Sequence, residues 1–133
     1  MASIGNVTFA CADPGALSEF WAEAVDYELQ EPPPGLREAI EAEGGDRNAA
    51  AAAVDPAGHG PRLFFKKMPR SSPDHIPIHL DLAADDREAE VERLTALGAT
   101  VVETKTETTG PYAETWTVMR DPEGNGFCVQ SSP

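Results

Sequence analysis

The chain has 133 residues, enough for one domain and too few for two, and its 41% hydrophobic and 25% charged residues are typical of a folded protein. This composition argues against a disordered chain. The net charge of −13 argues against a nucleic-acid-binding surface, and the chain has no apolar run long enough to cross a membrane.

The first half of the chain alternates strand and helix patterns. Residues 4–12 alternate apolar and polar side chains, which predicts a strand with one buried face. Asp13 and Pro14 are typical of a helix start, and the spacing of the apolar residues that follow predicts an amphipathic helix. Its predicted buried stripe consists of Leu17, Phe20, Trp21, Ala24 and Val25. Further strands are predicted over 27–30, 49–54 and 63–68, with a short helix over 36–43.

The second half repeats this order after a predicted linker at 69–74. A strand over 77–83 carries Ile78, Leu80 and Leu82 on one face and His79 and Asp81 on the other. The next helix is predicted to begin at Asp85 and to end near Gly98. Its predicted buried stripe consists of Val91, Leu94 and Leu97. Strands over 101–105, 115–120 and 127–131 complete the chain.

Self-similarity between the halves indicates a duplication. A shift of 73 residues places Asn6 on His79 and Trp21 on Leu94, so both first strands and both helices bury equivalent positions. The turn at residues 55–60 resembles the turn at 121–126, and each precedes the last strand of its half. We therefore predict a single domain over 1–133, with module one at about 1–69 and module two at about 74–133.

These features resemble the glyoxalase-like proteins of the vicinal oxygen chelate superfamily, a group that also includes bleomycin-resistance proteins and extradiol dioxygenases. The segments that carry the resemblance are Phe20-Trp21, Ile78-His79-Leu80-Asp81-Leu82, Leu97-Gly98-Ala99 and Asp121-Pro122-Glu123-Gly124-Asn125. The resemblance covers nearly the whole chain. It implies an α+β fold in which two paired βαβββ modules form a cup-shaped mixed sheet, with helices on the outer face. Residues Leu36 to Arg47 depart from the minimal module and look like an insertion.

The resemblance also implies where a metal would bind. Enzymes of the superfamily hold one divalent metal in the cup, with a His or Glu from the first strand of each module and a carboxylate from the last. These positions correspond to Asn6, His79, Cys128 and either Phe64 or Lys66. Asparagine is a poor ligand, and residues 62–69 contain no Asp, Glu, His or Cys. We therefore expect neither a metal nor another cofactor, and a divalent metal held by other residues stays open as the disfavoured alternative.

Strand phase predicts which side chains face the cup. They are Asn6, Thr8, Phe64, Lys66, His79, Asp81, Cys128 and Gln130. Trp116 is a candidate ligand-stacking residue, but strand phase does not decide which face it occupies. Aromatic walls with a few polar groups are typical of small-molecule sites. His79 is either a hydrogen-bonded partner of Asp81 or a general base, and Cys128 is an inert small residue rather than a nucleophile.

Three functions are compatible with these residues. The first is a metal-free protein that binds a drug or metabolite in the cup, and the net charge favours a cationic ligand. The second is an enzyme of lyase, isomerase or dioxygenase type that uses His79 as an acid/base or as a metal ligand. The third is a structural dimer without a ligand.

The sequence also predicts the cellular compartment and the partners of the protein. Met1 to Asn6 lacks the basic segment and apolar stretch of a signal peptide, and two cysteines suit a reducing compartment, so we expect a cytoplasmic protein. Cys11 and Cys128 are predicted on opposite faces of the sheet, so we do not expect a disulfide between them. The family resemblance implies a homodimer, which would also cover edge strands. Nucleic acid and membrane are not expected partners.

Overall fold

A computed structural model describes residues 1–69, 71 and 76–131, and most of the predicted linker lies outside them. The elements follow the predicted order, although the last hairpin is longer than the sequence indicated. They are β1 (Ser3–Cys11), α1 (Pro14–Val25), β2 (Glu28–Leu29), α2 (Leu36–Ala42), β3 (Ala50–Val54), β4 (Arg62–Lys67), β5 (Ile78–Ala84), α3 (Arg87–Ala96), β6 (Thr100–Thr109), β7 (Tyr112–Arg120) and β8 (Gly126–Ser131).

The strands form one mixed sheet in the order β2-β3-β4-β1-β5-β8-β7-β6. Within each module the first strand pairs in parallel with the last, β1 with β4 and β5 with β8. The two modules join through antiparallel pairing of β1 with β5. This arrangement confirms the expected α+β fold of two paired βαβββ modules.

The junction between the modules explains the internal repeat. Val7 lies directly opposite Leu80, which is 73 residues further along the chain, the separation found in the sequence. A pseudo-twofold axis through this pair exchanges Asn6 with His79. The 73-residue repeat in the sequence therefore corresponds to the pseudo-twofold symmetry of the sheet.

Helices α1 and α3 each pack on the outer face of their own module. On module one, Phe65 is fully buried and stacks on Phe9, with ring centroids 5.1 Å apart, and Trp21 packs beside them as predicted. On module two, Met119 and Val129 are fully buried beneath α3. Burial of these apolar side chains is the main force that holds the helices to the sheet.

The buried stripe of α1 differs from the predicted one. Phe20 and Val25 are 61% and 44% exposed, whereas Ser18 and Ala22 are buried. Small side chains at these two positions let the helix approach β3 and β4 closely, which turns Phe20 outward. Leu97 is likewise exposed, because it lies beyond the last turn of α3.

Aspartate side chains cap the N-termini of α1 and α3. The Ala16 amide donates a hydrogen bond to Asp13 at 3.1 Å, as predicted for α1. The start of α3 was predicted at Asp85, but the cap is Asp86, whose side chain accepts a hydrogen bond from the Ala89 amide at 3.0 Å. The two adjacent aspartates are chemically equivalent caps, so the sequence could not decide between them.

The two similar turns have the same hydrogen bonds. Asp55 accepts a side-chain bond from the amide two residues later at 2.9 Å, and so does Asp121. In each turn the glycine at the fourth position donates its amide to the backbone carbonyl of the aspartate at 2.9 Å. The pKa of both carboxyls is lowered, mainly by the backbone amide of Gly60 for Asp55 and by that of Asn125 for Asp121. The shared bonding supports duplication rather than a chance match of two turn motifs.

The insertion in module one crosses to module two. We call residues 34–43 the α2 segment. It follows β2, at one edge of the sheet, and reaches the β6–β7 turn, at the other edge. The Tyr112 hydroxyl donates to the Pro34 carbonyl, and the Gly110 amide donates to the Glu43 carboxylate at 3.2 Å. The α2 segment thus links the two edges of the cup.

No helix in the described ranges combines the length and apolar character needed to cross a membrane.

Replacing Gly110 with alanine tests the α2 segment. Gly110 has a φ of +58°, and an added Cβ would lie 2.6 Å from Cβ of Ala39. The left-handed conformation costs a non-glycine residue about 1–2 kcal/mol, and the clash with α2 adds to this cost. We expect urea unfolding to show a larger loss of stability for Gly110→Ala than for Gly58→Ala, because Gly58 has a φ of +74° and open space around it. Equal losses would show that the α2 segment does not press on the turn.

Candidate functional site

The structure brings all the predicted site residues to the concave face of the sheet. In β1 and β4, Thr8 is level with Phe64, and in β5 and β8, Asp81 is level with Cys128. Trp116 lies opposite Gln130 in the antiparallel β7–β8 pair. Because directly opposed residues share a face, Trp116 lies on the concave face, which strand phase alone did not decide. The residues on this face are Asn6, Thr8, Phe64, Lys66, His79, Asp81, Trp116, Cys128 and Gln130.

A buried carboxylate lies at the centre of this face. Asp81 is only 8% exposed and accepts a hydrogen bond from the Thr8 hydroxyl. The Asn6 side-chain amide donates to the same oxygen at 3.4 Å, and Nδ1 of His79 lies 3.3 Å from the other oxygen. Both carboxylate oxygens therefore have partners, as a buried charge requires.

Arg62 joins this network and was missed in the sequence. Its Nη1 donates to Oδ1 of Asn6 at 3.0 Å, so the Asn6 amide bridges the guanidinium of Arg62 and the carboxylate of Asp81. The predicted strand began at residue 63, so the prediction placed Phe64 and Lys66 on this face but did not extend to Arg62. Strand phase could have identified Arg62, because it precedes Phe64 by two residues and must share its face.

Two further contacts hold the Arg62 side chain. Its Nε donates to the side-chain oxygen of Gln30 at 2.7 Å, and its guanidinium carbon lies 5.1 Å from the ring centroid of Phe64. Burial lowers the pKa of Arg62, while the carboxylates of Glu114 and Asp81 oppose this shift. Arginine stays charged at any relevant pH, so the cup contains a fixed, partly buried cation.

Cys128 is a poor nucleophile in this position. Burial, followed by the nearby Asp81 carboxylate, raises the pKa of its thiol from 9.0 to about 11. Lys105 and Lys66 act in the opposite direction but do not cancel the shift. Cys128 is therefore a neutral thiol at neutral pH. Cys11 packs in the core cluster on the opposite face, and both cysteines are free, as predicted.

The strand register settles which residue of module one corresponds to Cys128. The pseudo-twofold axis exchanges Thr8 with Asp81, and these residues are level with Phe64 and Cys128 respectively. Phe64, not Lys66, is therefore the counterpart of Cys128. Module one thus has Asn6 and Phe64 where module two has His79 and Cys128.

A separate groove lies on the outer side of the molecule. It has a volume of about 320 Å³ and is lined by Glu19, Ala22, Glu23, Asp26, Tyr27 and Leu29. None of these residues belongs to the concave face. The groove is therefore distinct from the cup and contains none of the residues of the Asp81 network.

Comparison with known proteins identifies the family. A family model described as a glyoxalase-like domain matches residues 6–130. No protein with a curated description matches the sequence significantly.

Solved structures share the fold at low sequence identity. A glyoxalase/bleomycin resistance protein/dioxygenase superfamily member from Vibrio splendidus has a TM-score of 0.57 and 10% identity, with 99% of this chain and 100% of that chain covered. Methylmalonyl-CoA epimerase from Mycobacterium tuberculosis has a TM-score of 0.63 and 16% identity, covering 98% and 88%. A Legionella pneumophila structure described as an NAD-dependent benzaldehyde dehydrogenase has a TM-score of 0.62 and 16% identity, covering 96% and 98%. At these identities the likeness concerns the fold alone. The match of the family model over nearly the whole sequence shows that the chain belongs to the glyoxalase-like domain family.

Proposed function

We propose that the protein binds a small organic molecule in its cup without a divalent metal. One observation carries the proposal. The concave face combines two aromatic side chains, Phe64 and Trp116, with a central polar network whose buried carboxylate already has its partners. Such a combination of aromatic walls and a few fixed polar groups is typical of small-molecule sites.

The residues do not fit the metal site that the family resemblance implies. Of its four positions, Asn6 supplies only a weak ligand and Phe64 supplies none. His79, Asp81 and Cys128 do have potential ligand atoms within 4.8 Å of one another. However, Thr8 and Asn6 already donate to Asp81, and Cys128 would have to lose a proton whose pKa is about 11.

The local charges also oppose a metal ion. Lys66 and Lys105 are both near enough to Cys128 to lower its pKa, and Arg62 lies across Asn6 from Asp81. A divalent cation at this point would be repelled by these positive charges. We therefore assign no chemical step to a metal.

A second candidate is an enzyme that uses His79 as a general base. The supporting observation is the 3.3 Å contact between Nδ1 of His79 and Asp81. A carboxylate in this position orients the imidazole through Nδ1, which leaves Nε2 to exchange a proton with a substrate. His79→Ala separates the two candidates, because it would abolish turnover by an enzyme but only change the affinity of a binding protein.

Binding in the cup can be tested with the two tryptophans. Trp116 lies on the concave face and Trp21 lies in the core beneath α1, so their indole N–H signals in ¹⁵N-labelled protein report on different places. We expect at least one of benzoate, benzamide and benzamidine, at millimolar concentrations, to shift the Trp116 signal and leave the Trp21 signal unchanged. If none of the three shifts Trp116, the proposal is wrong.

Metal content provides an independent test. Elemental analysis after dialysis against Zn²⁺, Ni²⁺, Mn²⁺ or Fe²⁺ should find far less than one equivalent per chain, because ligands are missing and the thiol is neutral. His59→Ala serves as the control, since His59 is exposed in a turn outside the cup. About one equivalent in the wild type and in His59→Ala, lost in His79→Ala, would restore the metal-dependent interpretation.

Cys128 should resist alkylation in the folded protein. A rise in pKa from 9.0 to about 11 lowers the thiolate fraction at pH 8 by about 100-fold. We expect iodoacetamide to modify Cys128 at least about tenfold more slowly in native protein than in guanidinium-unfolded protein, measured by mass spectrometry of the peptide. Because the folded state holds this proton more tightly, the contribution to stability decreases as the pH rises from 9 towards 11. Equal rates would contradict the neutral, buried thiol.

A further inference from the structure

We infer that Arg62 is the residue that recognises the ligand, and that the ligand carries a carboxylate or another planar oxyanion. This inference rests on the proposed binding of a small molecule in the cup. It concerns the chemical class of that molecule.

The hydrogen bonds of Arg62 leave donors for a ligand. A guanidinium has five N–H donors in one plane. One goes to Gln30 and one to Asn6, both neutral amide acceptors. In the described part of the chain no carboxylate forms an ion pair with Arg62 within 4.0 Å, and the other three donors have no hydrogen-bond acceptor there. Two donors of one guanidinium match the two oxygens of a carboxylate.

The guanidinium is already held in place. Gln30 fixes Nε, Asn6 fixes Nη1, and the guanidinium carbon lies over the ring of Phe64, 5.1 Å from its centroid. An arginine that is ordered before binding loses little side-chain entropy when the ligand arrives. The adjacent Phe64 ring, with Trp116 across the sheet, offers apolar surface to the rest of a ligand.

The charges around Arg62 leave it available to an anion although the whole chain is acidic. Asp81 is engaged by Thr8, Asn6 and His79, so its charge is partly compensated. Lys66 and Lys105, from opposite modules, both act on Cys128, but Lys105 is paired with Glu103 at 3.1 Å, so Lys66 is the cation that adds to the charge of Arg62. The carboxylates that act on Arg62 are those of Glu114, which is exposed on β7, and Asp81.

Planar probes of equal shape and different charge test the inference. We expect benzoate to shift the Trp116 indole signal with at least about tenfold higher affinity than benzamide, because a charge-assisted pair contributes more than a neutral one. We expect benzamidine to bind most weakly. Arg62→Gln should remove the preference for benzoate, and Arg62→Lys should keep part of it. Glu114→Gln should strengthen benzoate binding.

The matched control is Lys67→Gln. Lys67 is on the same strand as Arg62 but faces outward, where it pairs with Asp46 at 2.7 Å. The substitution Lys67→Gln therefore removes one positive charge, as Arg62→Gln does, but outside the cup. We expect Lys67→Gln to leave the affinity for benzoate within about twofold, since exposed ion pairs contribute little. If Arg62→Gln does not fold, Arg62→Lys and Glu114→Gln still decide the question.

The possible outcomes separate the two proposals. Binding of benzamide or benzamidine as tight as that of benzoate would overturn the inference about Arg62 but leave small-molecule binding intact. An unchanged benzoate preference in Arg62→Gln would do the same. Failure of all three probes to shift the Trp116 signal would overturn both.

Discussion

The carboxylate of Asp81 is the group around which the concave face is organised. A carboxylate buried in a sheet is tolerated only when donors surround it, because removing a charge from water is costly. Here Thr8 and Asn6 come from module one, and Asp81 and His79 from module two. The hydrogen bonds therefore join the two modules on the concave face, at the strands whose backbones already pair.

The same carboxylate influences every polar group near it. It is next to His79, adds to the burial that raises the pKa of the Cys128 thiol, and connects through Asn6 to the guanidinium of Arg62. A divalent metal would compete with those partners for the carboxylate and would add charge where cations already converge. The family fold thus holds the guanidinium of Arg62 on the face where the family resemblance implied a divalent metal.

The sequence predicted the fold well because its signals are local and repeated. Period-2 alternation assigned the strand faces, and the 73-residue shift corresponds to the Val7–Leu80 pair at the junction. It did not predict the face of Trp116, which depends on pairing between β7 and β8, or the role of Arg62, which depends on neighbours far along the chain. The outward position of Phe20 also followed from tertiary contacts, because the rotation of α1 depends on how closely it approaches the sheet.

The differences between the modules give the cup a direction. In β8 the place of Arg62 is taken by Gly126, and Asn6 and Phe64 face His79 and Cys128 across the pseudo-twofold axis. A cup with identical halves would accept an elongated molecule in two opposite orientations of equal energy. With a guanidinium in one half and an imidazole in the other, the two ends of a ligand would no longer be interchangeable. Because the two duplicated halves have diverged, the cup would bind an elongated ligand in one preferred orientation.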